Sequence, residues 1–165
     1  MSSIKKCKYS WLLLSVIIIV LDQYTKYLAF QHLVLGMPRR ILPFFNFTLA
    51  FNTGAAFSFL HRAGGWQVWF FALLAVVICV ALLIWFAKLD KQQNLLACGI
   101  VCIIGGAIGN VIDRLYHGFV IDFLDFHLGV WHWPVFNIAD SAIVLGVCLV
   151  LLDHWRNTKK RLQNR

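Results

Sequence analysis

The stretch WQVWFFALLAVVICVALLIWFA, residues 66–87, decides the fold because it is apolar along almost its whole length and contains no charged residue. A helix of about 22 residues rises roughly 33 Å, which is enough to cross the hydrocarbon core of a bilayer. This stretch therefore predicts a transmembrane helix.

Three further apolar segments accompany it, at about residues 11–30, 95–113 and 134–153. Pro134 suits the first turn of the last helix, because no N–H bond is lost there. The chain of 165 residues is 61% hydrophobic and 13% charged, whereas soluble domains are about half apolar and a quarter charged. The sequence thus predicts an all-α integral membrane protein with four transmembrane helices, forming one domain over residues 1–165.

The first apolar segment resembles a signal peptide, but no small-residue cleavage site follows it. Polar residues arrive instead, at Asp22, Gln23 and Lys26. We therefore expect a retained helix whose outer half carries polar side chains.

Charge predicts the orientation. If both termini are cytoplasmic, the inner segments carry ten Lys and Arg against Asp90 and Asp153, while the outer half carries five against five Asp. Cytoplasmic segments of membrane proteins are enriched in Lys and Arg, so this orientation is expected. The net charge is +8, but the basic residues flank the apolar segments, as membrane orientation signals do. No nucleic-acid partner is therefore predicted.

Two outer connections remain, residues 31–65 and 114–133. The part from 41 to 60 is rich in Phe and Thr and poor in charge, a composition that favours short strands. Trp131 and Trp133 suit the membrane interface. We expect a small β-containing outer (periplasmic) subdomain, whose loops either anchor the protein by their aromatic residues alone or also shape a substrate cleft.

Several chemistries are excluded. The chain contains no Glu, so the HExxH motif of zinc proteases cannot occur. Five cysteines form no CxxC pair, six histidines have no ligand spacing, and no serine lies in a GxSxG-like setting. We predict no metal, no cofactor and no disulfide framework.

Asn-x-x-Asp occurs twice, at Asn110–Asp113 near the end of the third apolar segment and at Asn137–Asp140 near the start of the fourth. This spacing places two side chains on one face of a helix, and antiparallel helices would bring Asp113 and Asp140 to a similar depth. Small residues allow a neighbouring helix backbone to approach closely there. These residues are Gly105, Gly106, Ala107 and Gly109.

Two close carboxylates share one proton, so one can activate water while the other polarises a peptide carbonyl. The helix dipole favours negative charge at Asp140, near a helix N-terminus, over Asp113, near a C-terminus. Asp140 is then the expected base. A polar cluster that only holds the helices together, or an ion pathway in a transporter, remains an alternative, although the cytoplasmic halves of the spans look almost wholly apolar.

Other polar residues are less suited to this chemistry. Asp122 and Asp125 form a rival carboxylate pair, but they lie in an outer connection where solvent would relax any pKa shift. We expect Asp122 to cap or pair within that loop. Asp22 and Lys26 are four residues apart and pair on one helix face.

Five sequence blocks, in order, resemble the lipoprotein signal peptidase family, also called signal peptidase II and classed as aspartyl protease family A8. They are LDQYTK (21–26), NTGAAF (52–57), GAIGNVIDR (106–114), VIDFLD (120–125) and FNIAD (136–140). The resemblance covers nearly the whole chain.

The resemblance implies a bacterial inner-membrane endopeptidase that is sensitive to the cyclic peptide globomycin and has its active site near the periplasmic face. Its substrates would be prolipoproteins with a diacylglyceryl group on a cysteine, cut just before that cysteine. Asp113 and Asp140 would be catalytic. Asn52, Gly54, Asn110, Arg114 and Asn137 would line the site, and Asp22 and Lys26 would support it. We expect a monomer whose other partner is membrane lipid.

Overall fold

The computed structural model describes residues 8–54, 64–90 and 92–163. A short 3-10 turn, Lys8–Trp11, leads into the first of four long helices. The helices are α1 Leu12–His32, α2 Trp66–Lys88, α3 Asn94–His117 and α4 Ile138–Gln163. All four are long and apolar enough to cross a membrane, which confirms the four apolar helices predicted from the sequence.

Helix α3 lies at the centre, and α1, α2 and α4 each pack against it. Of its most apolar window, 72% is buried, against 17–22% for the other three helices. The outer helices keep most of their apolar side chains exposed because lipid is the natural solvent of such surfaces.

Glycines let the helices approach closely. A Cβ at Gly106 would collide with the carbonyl oxygen of Ala139 on α4, and one at Gly105 would crowd Ser15 and Ile18 on α1. The prediction that small residues on α3 allow neighbouring helices to approach closely is therefore confirmed. It brings the polar ends of α1, α3 and α4 together.

The sheet has four antiparallel strands in the order β1-β2-β3-β4. Its strands are β1 Pro38–Leu42, β2 Phe45–Asn52, β3 Val120–Leu128 and β4 Trp131–His132. The expected β structure in the two connections is confirmed, while residues 55–63 of the first connection lie outside the described part. Strand β3 begins three residues after α3 ends, so the sheet adjoins the helix ends directly.

Three helix ends differ from the sequence prediction, one of them at the C-terminus of α4, which continues from about residue 153 to Gln163. Helix α3 continues beyond Asp113 to His117 and ends at Gly118, which has a φ of 77°. Helix α4 begins at Ile138 rather than at Pro134. The preceding residues cannot be helical, because Phe136 pairs with β3: its carbonyl accepts the N–H groups of Phe123 and Leu124.

The half of the bundle that lies away from the sheet has an apolar core between α2 and α3. It contains Phe86, Leu89, Leu96, Ala97, Ile100, Val101 and Ile104. Among the described residues, no buried charged side chain lies in this half. The buried charged groups of the described residues all lie at the end that adjoins the sheet.

Candidate active site

The C-terminal half of α1 contributes a buried ion pair to this end. Lys26 Nζ lies 2.8 Å from Asp22 Oδ2 and 3.0 Å from Asp113 Oδ2 on α3. Gln23 also donates to Asp113 Oδ1, at 2.8 Å. Asp22 and Lys26 pair as expected, but the pair also reaches α3, so its role extends beyond one helix face.

The start of α4 is capped by Asn137. Its side-chain oxygen accepts the Asp140 N–H at 2.9 Å, and Asp140 Oδ2 accepts the Asn137 N–H at 3.3 Å. These reciprocal bonds are those of a capping box. The expectation that Asp140 lies near a helix N-terminus is confirmed, but Asn137 precedes the helix instead of sharing its face.

The second oxygen of Asp140 is held by α3. Asn110 Nδ2 donates to Asp140 Oδ1 at 2.8 Å, while Asn110 Oδ1 accepts from Lys26 at 2.8 Å and from Asn137 Nδ2 at 3.2 Å. The Asp113 and Asp140 carboxylates, both in the described part, do not bond to each other. Lys26 and Asn110 lie between them.

Asp122, on β3, faces the same cap. Its Oδ1 accepts from Asn137 Nδ2 at 2.7 Å and its Oδ2 accepts from Asn52 Nδ2 at 3.2 Å. Burial and, to a smaller extent, the nearby negative charge of Asp140 together raise the pKa of Asp122 to about 7, against the opposing effect of the hydrogen bonds from Asn52 and Asn137. Asp122 and Asp140 are thus two electrostatically coupled carboxylates around Asn137.

The solvated position expected for Asp122 and Asp125 is wrong, because both carboxylates are buried. They are also not a pair. Asp125 accepts hydrogen bonds from Asn46, Thr48 and His132. Although burial acts to raise its pKa, these bonds lower the pKa of Asp125 below its usual value.

Arg114 closes the site on the side of β2. Its Nη2 donates to the Gly54 carbonyl at 3.0 Å, and the Gly54 N–H donates to Asn52 Oδ1 at 3.0 Å. The positive charge of its guanidinium group also attracts the carboxylates of Asp113, Asp122 and Asp140. Arg114 therefore ties the end of β2 to the carboxylate cluster.

The structure brings all nine predicted site residues to this one end of the bundle. It also adds two residues that the sequence prediction did not assign to the site, Gln23 and Asp122. Both lie in blocks that carried the family resemblance, LDQYTK and VIDFLD, and that membership was the available signal. Within the described ranges, no group of three or more His, Cys, Asp or Glu residues is placed to hold a metal ion.

Comparisons with known proteins agree with this arrangement. The profile described as "Signal peptidase (SPase) II" matches residues 14–156. A lipoprotein signal peptidase of Alteromonas mediterranea is 49% identical over 154 residues, covering 93% of this chain and 84% of that protein. One from Coxiella burnetii is 51% identical over 150 residues, covering 90% and 92%.

A solved structure is also similar. It is titled as a bacterial membrane enzyme determined by the in meso method at 2.3 Å, and it superposes with a TM-score of 0.83 at 32% identity. The similarity covers 92% of this chain and 90% of that one. These matches and the four membrane-length helices together define a membrane-embedded aspartic protease. The chain belongs to the signal peptidase II family, which confirms the resemblance found in the sequence.

Proposed function

We propose that this protein removes signal peptides from prolipoproteins that carry a diacylglyceryl group, and that it cuts just before the lipidated cysteine. The observation that carries the proposal is the pair of carboxylates around Asn137, the buried Asp122 and the half-buried Asp140, at one end of four membrane-length helices. A lipidated peptide arriving from the bilayer can reach carboxylates at that depth while its acyl chains stay in lipid.

The contacts favour Asp122 over Asp113 as the partner of Asp140. Asp113 is neutralised by Lys26 and accepts further hydrogen bonds from Gln23 and the Ile121 N–H. Both oxygens of Asp113 are therefore already occupied by donors. No cation among the described residues bonds to Asp122, and its surroundings raise its pKa to about 7, so Asp122 can carry a proton near neutral pH.

Protonated Asp122 and ionised Asp140 divide the chemistry between them. Asp140 lies in the first turn of α4 and accepts two N–H groups, so the helix dipole and these donors favour its ionised form. It takes a proton from water as the water oxygen attacks the scissile carbonyl carbon. Asp122 gives its proton to the carbonyl oxygen.

The resulting tetrahedral diol then collapses. The C–N bond breaks, the leaving amine takes the proton from Asp140, and Asp122 recovers a proton from a diol hydroxyl. The products are the free carboxyl end of the signal peptide and the amine of the lipidated cysteine. The carboxylate pair returns to its starting state without a metal or a covalent intermediate.

The end of β2 is suited to binding the peptide backbone. Gly54 carries no side chain, so a peptide can approach its backbone closely, and Arg114 holds its carbonyl in place. Asn52 is fixed between Asp122 and the Gly54 N–H. We assign Asn52, Gly54 and Arg114 to substrate binding.

We infer the membrane placement from charge. Both termini are cytoplasmic, because ten of the fifteen Lys and Arg residues lie in the terminal segments or at the connection between α2 and α3, away from the connections that form the sheet. The sheet and the carboxylates then lie near the periplasmic face of a bacterial inner membrane. We further propose a single monomeric domain over residues 1–165, surrounded by lipid and inhibited by globomycin.

The test is cleavage of a diacylglyceryl-modified prolipoprotein by the purified protein in lipid, with Asp122→Asn, Asp140→Asn and Asp113→Asn variants. We expect folded Asp122→Asn and Asp140→Asn proteins to lose at least about 1,000-fold in kcat, since neither can transfer its proton. Asp113→Asn should retain measurable activity. Asp90→Asn, at an exposed carboxylate beyond α2, is the matched control.

Two outcomes would change the proposal. If Asp113→Asn is inactive and Asp122→Asn is active, the pair predicted from the sequence, Asp113 and Asp140, is the catalytic one. If all three variants cut normally, or wild type never cuts, the protein is not an aspartic protease of this kind and the ion-pathway alternative takes precedence.

A further inference from the structure

Lys26 has an unusual environment for a lysine, because its side chain is only about 2% exposed. An ammonium group has three N–H donors and no acceptor. All three have partners: Asp22 Oδ2, Asp113 Oδ2 and Asn110 Oδ1, at 2.8, 3.0 and 2.8 Å. The cation therefore pairs with Asp22 within α1 and joins α1 to α3 through Asp113 and Asn110.

Each of these carboxylates has a second, matching contact. Asp22 Oδ1 accepts the backbone N–H of Ala139 at 2.8 Å, and Ala139 immediately precedes Asp140. Asp113 Oδ2 accepts the backbone N–H of Ile121 at 3.0 Å, and Ile121 immediately precedes Asp122. One carboxylate thus holds the backbone beside each member of the proposed catalytic pair.

The third contact of Lys26 orients a side chain of the site. Because Lys26 is a donor only, it must meet the oxygen of the Asn110 amide, which leaves the NH₂ group facing Asp140 Oδ1. Gln23 also links the two carboxylates that pair with Lys26, since its Nε2 donates to Asp113 at 2.8 Å and to Asp22 at 3.3 Å.

We propose that Asp22, Lys26 and Asp113 form a spacer triad that fixes the separation and orientation of Asp122 and Asp140. This inference rests on the proposed catalytic pair. The three residues touch neither substrate nor water in the reaction, so they are positioning residues. A buried ionic triad is a costly way to gain stability, since apolar replacements are often as stable, whereas geometry is what a proton-sharing pair requires.

The spacer predicts a specific kinetic signature. Two coupled carboxylates titrate as a unit with two separated apparent pKa values, and their mutual repulsion sets the separation. If the carboxylates move apart, their repulsion weakens and the two apparent pKa values approach each other. The bell-shaped curve of kcat against pH then becomes narrower. The charged groups around the pair are Asp22 and Lys26 on α1, Asp113 and Arg114 on α3, Asp122 on β3 and Asp140 on α4.

The experiment compares wild type with the double variant Lys26→Met/Asp22→Asn. This variant removes one positive and one negative charge, so the net charge of the site is unchanged, and the Asn can still accept the Ala139 N–H. We expect a fall in kcat of about 10- to 100-fold, typical of a small misplacement of reacting groups. KM should stay within about twofold, and the bell should narrow.

Lys88→Met, at the far end of α2, is the matched control and should match wild type. If the folded double variant has a wild-type kcat and bell, the spacer is wrong, while inactive Asp122→Asn and Asp140→Asn proteins would still support the proposed function. If Asp122→Asn remains active, the pair itself is wrong.

A milder variant covers the case in which the double variant does not melt cooperatively. Gln23→Leu removes the amide that bridges the two carboxylates and keeps every charge. We expect a kcat loss of about two- to tenfold with the same narrowing of the bell. A bell of unchanged width would overturn the proposal.

Discussion

Asp122 and Asp125 lie on the same strand, and each is only 2% exposed, yet their pKa values move in opposite directions. The pKa of Asp122 rises to about 7, whereas that of Asp125 falls below its usual value. Burial acts to raise both, so burial alone does not separate a reactive carboxylate from a structural one.

The difference lies in the partners of each group. Asp125 receives donors from both neighbouring strands, Asn46 and Thr48 on β2 and His132 on β4. Asp122 receives two amide donors but also faces the charge of Asp140. The charge of a second carboxylate on an adjacent element therefore adds to burial in raising the pKa of Asp122, whereas the donors around Asp125 overcome burial.

The largest effect on stability that we expect from this difference is at Asp122. Its raised pKa means that the folded protein keeps a proton that the unfolded chain releases, so stability falls as pH rises from about 4 to about 7. The Asp122→Asn variant lacks this fall. At pH 8 it should be more stable than wild type by up to about 4 kcal/mol, since one pKa unit is worth about 1.36 kcal/mol.

Thermal melting in detergent between pH 4 and pH 8 measures this difference. The two melting curves should nearly coincide at pH 4 and separate as the pH rises. Asp90→Asn, at an exposed position, should follow wild type throughout. A constant offset between Asp122→Asn and wild type would mean that Asp122 is not protonated in the folded protein.

The sequence predicted the helices well because a bilayer forces every backbone group to bond within its own segment. An apolar run of span length such as residues 66–87 then has one outcome. The strands were also predictable, since the Phe- and Thr-rich connection favours them. The start of α4 was not, although Asn137-x-x-Asp140 is itself a cap signature and places the helix start after Asn137.

The proposed catalytic partner of Asp140 was harder to predict. Asp122 follows a helix in a connection, and such positions are usually solvated. Strand β3 departs from this because its first residues are buried against the helix ends. The two Asn-x-x-Asp motifs drew attention to Asp113 instead, and only the contacts with Lys26 reveal that this carboxylate is already neutralised.

A mutation on α3 can separate the carboxylate pair without touching either member. Gly106→Ala places a methyl group against the Ala139 carbonyl and pushes the start of α4 outward. We expect a stability loss of about 1–3 kcal/mol, the usual cost of overpacking. The pKa of Asp122 should also fall because Asp140 is farther away, so the loss of stability between pH 4 and pH 7 becomes smaller.

The control is Val144→Ala, which shortens an exposed side chain of α4 and should leave the pH dependence unchanged. If Gly106→Ala lowers the melting temperature equally at every pH, repulsion from Asp140 is not what raises the pKa of Asp122.

The smallest effect is expected from Asp125→Asn, which changes the structural carboxylate. The variant loses either the acceptor oxygen that Asn46 and Thr48 on β2 share or the one that contacts His132 on β4. Hydrogen bonds to a charged group are worth about 1.5–3 kcal/mol. Because the pKa of Asp125 is lowered, its contribution is present above about pH 4 and is lost as pH falls further. The melting difference from wild type should therefore shrink below pH 4, and kcat should stay within about twofold.

Thr48→Val, which removes one donor, should cost less. A loss of kcat as large as that of Asp122→Asn would place Asp125 in the catalytic machinery and remove the contrast between the two carboxylates.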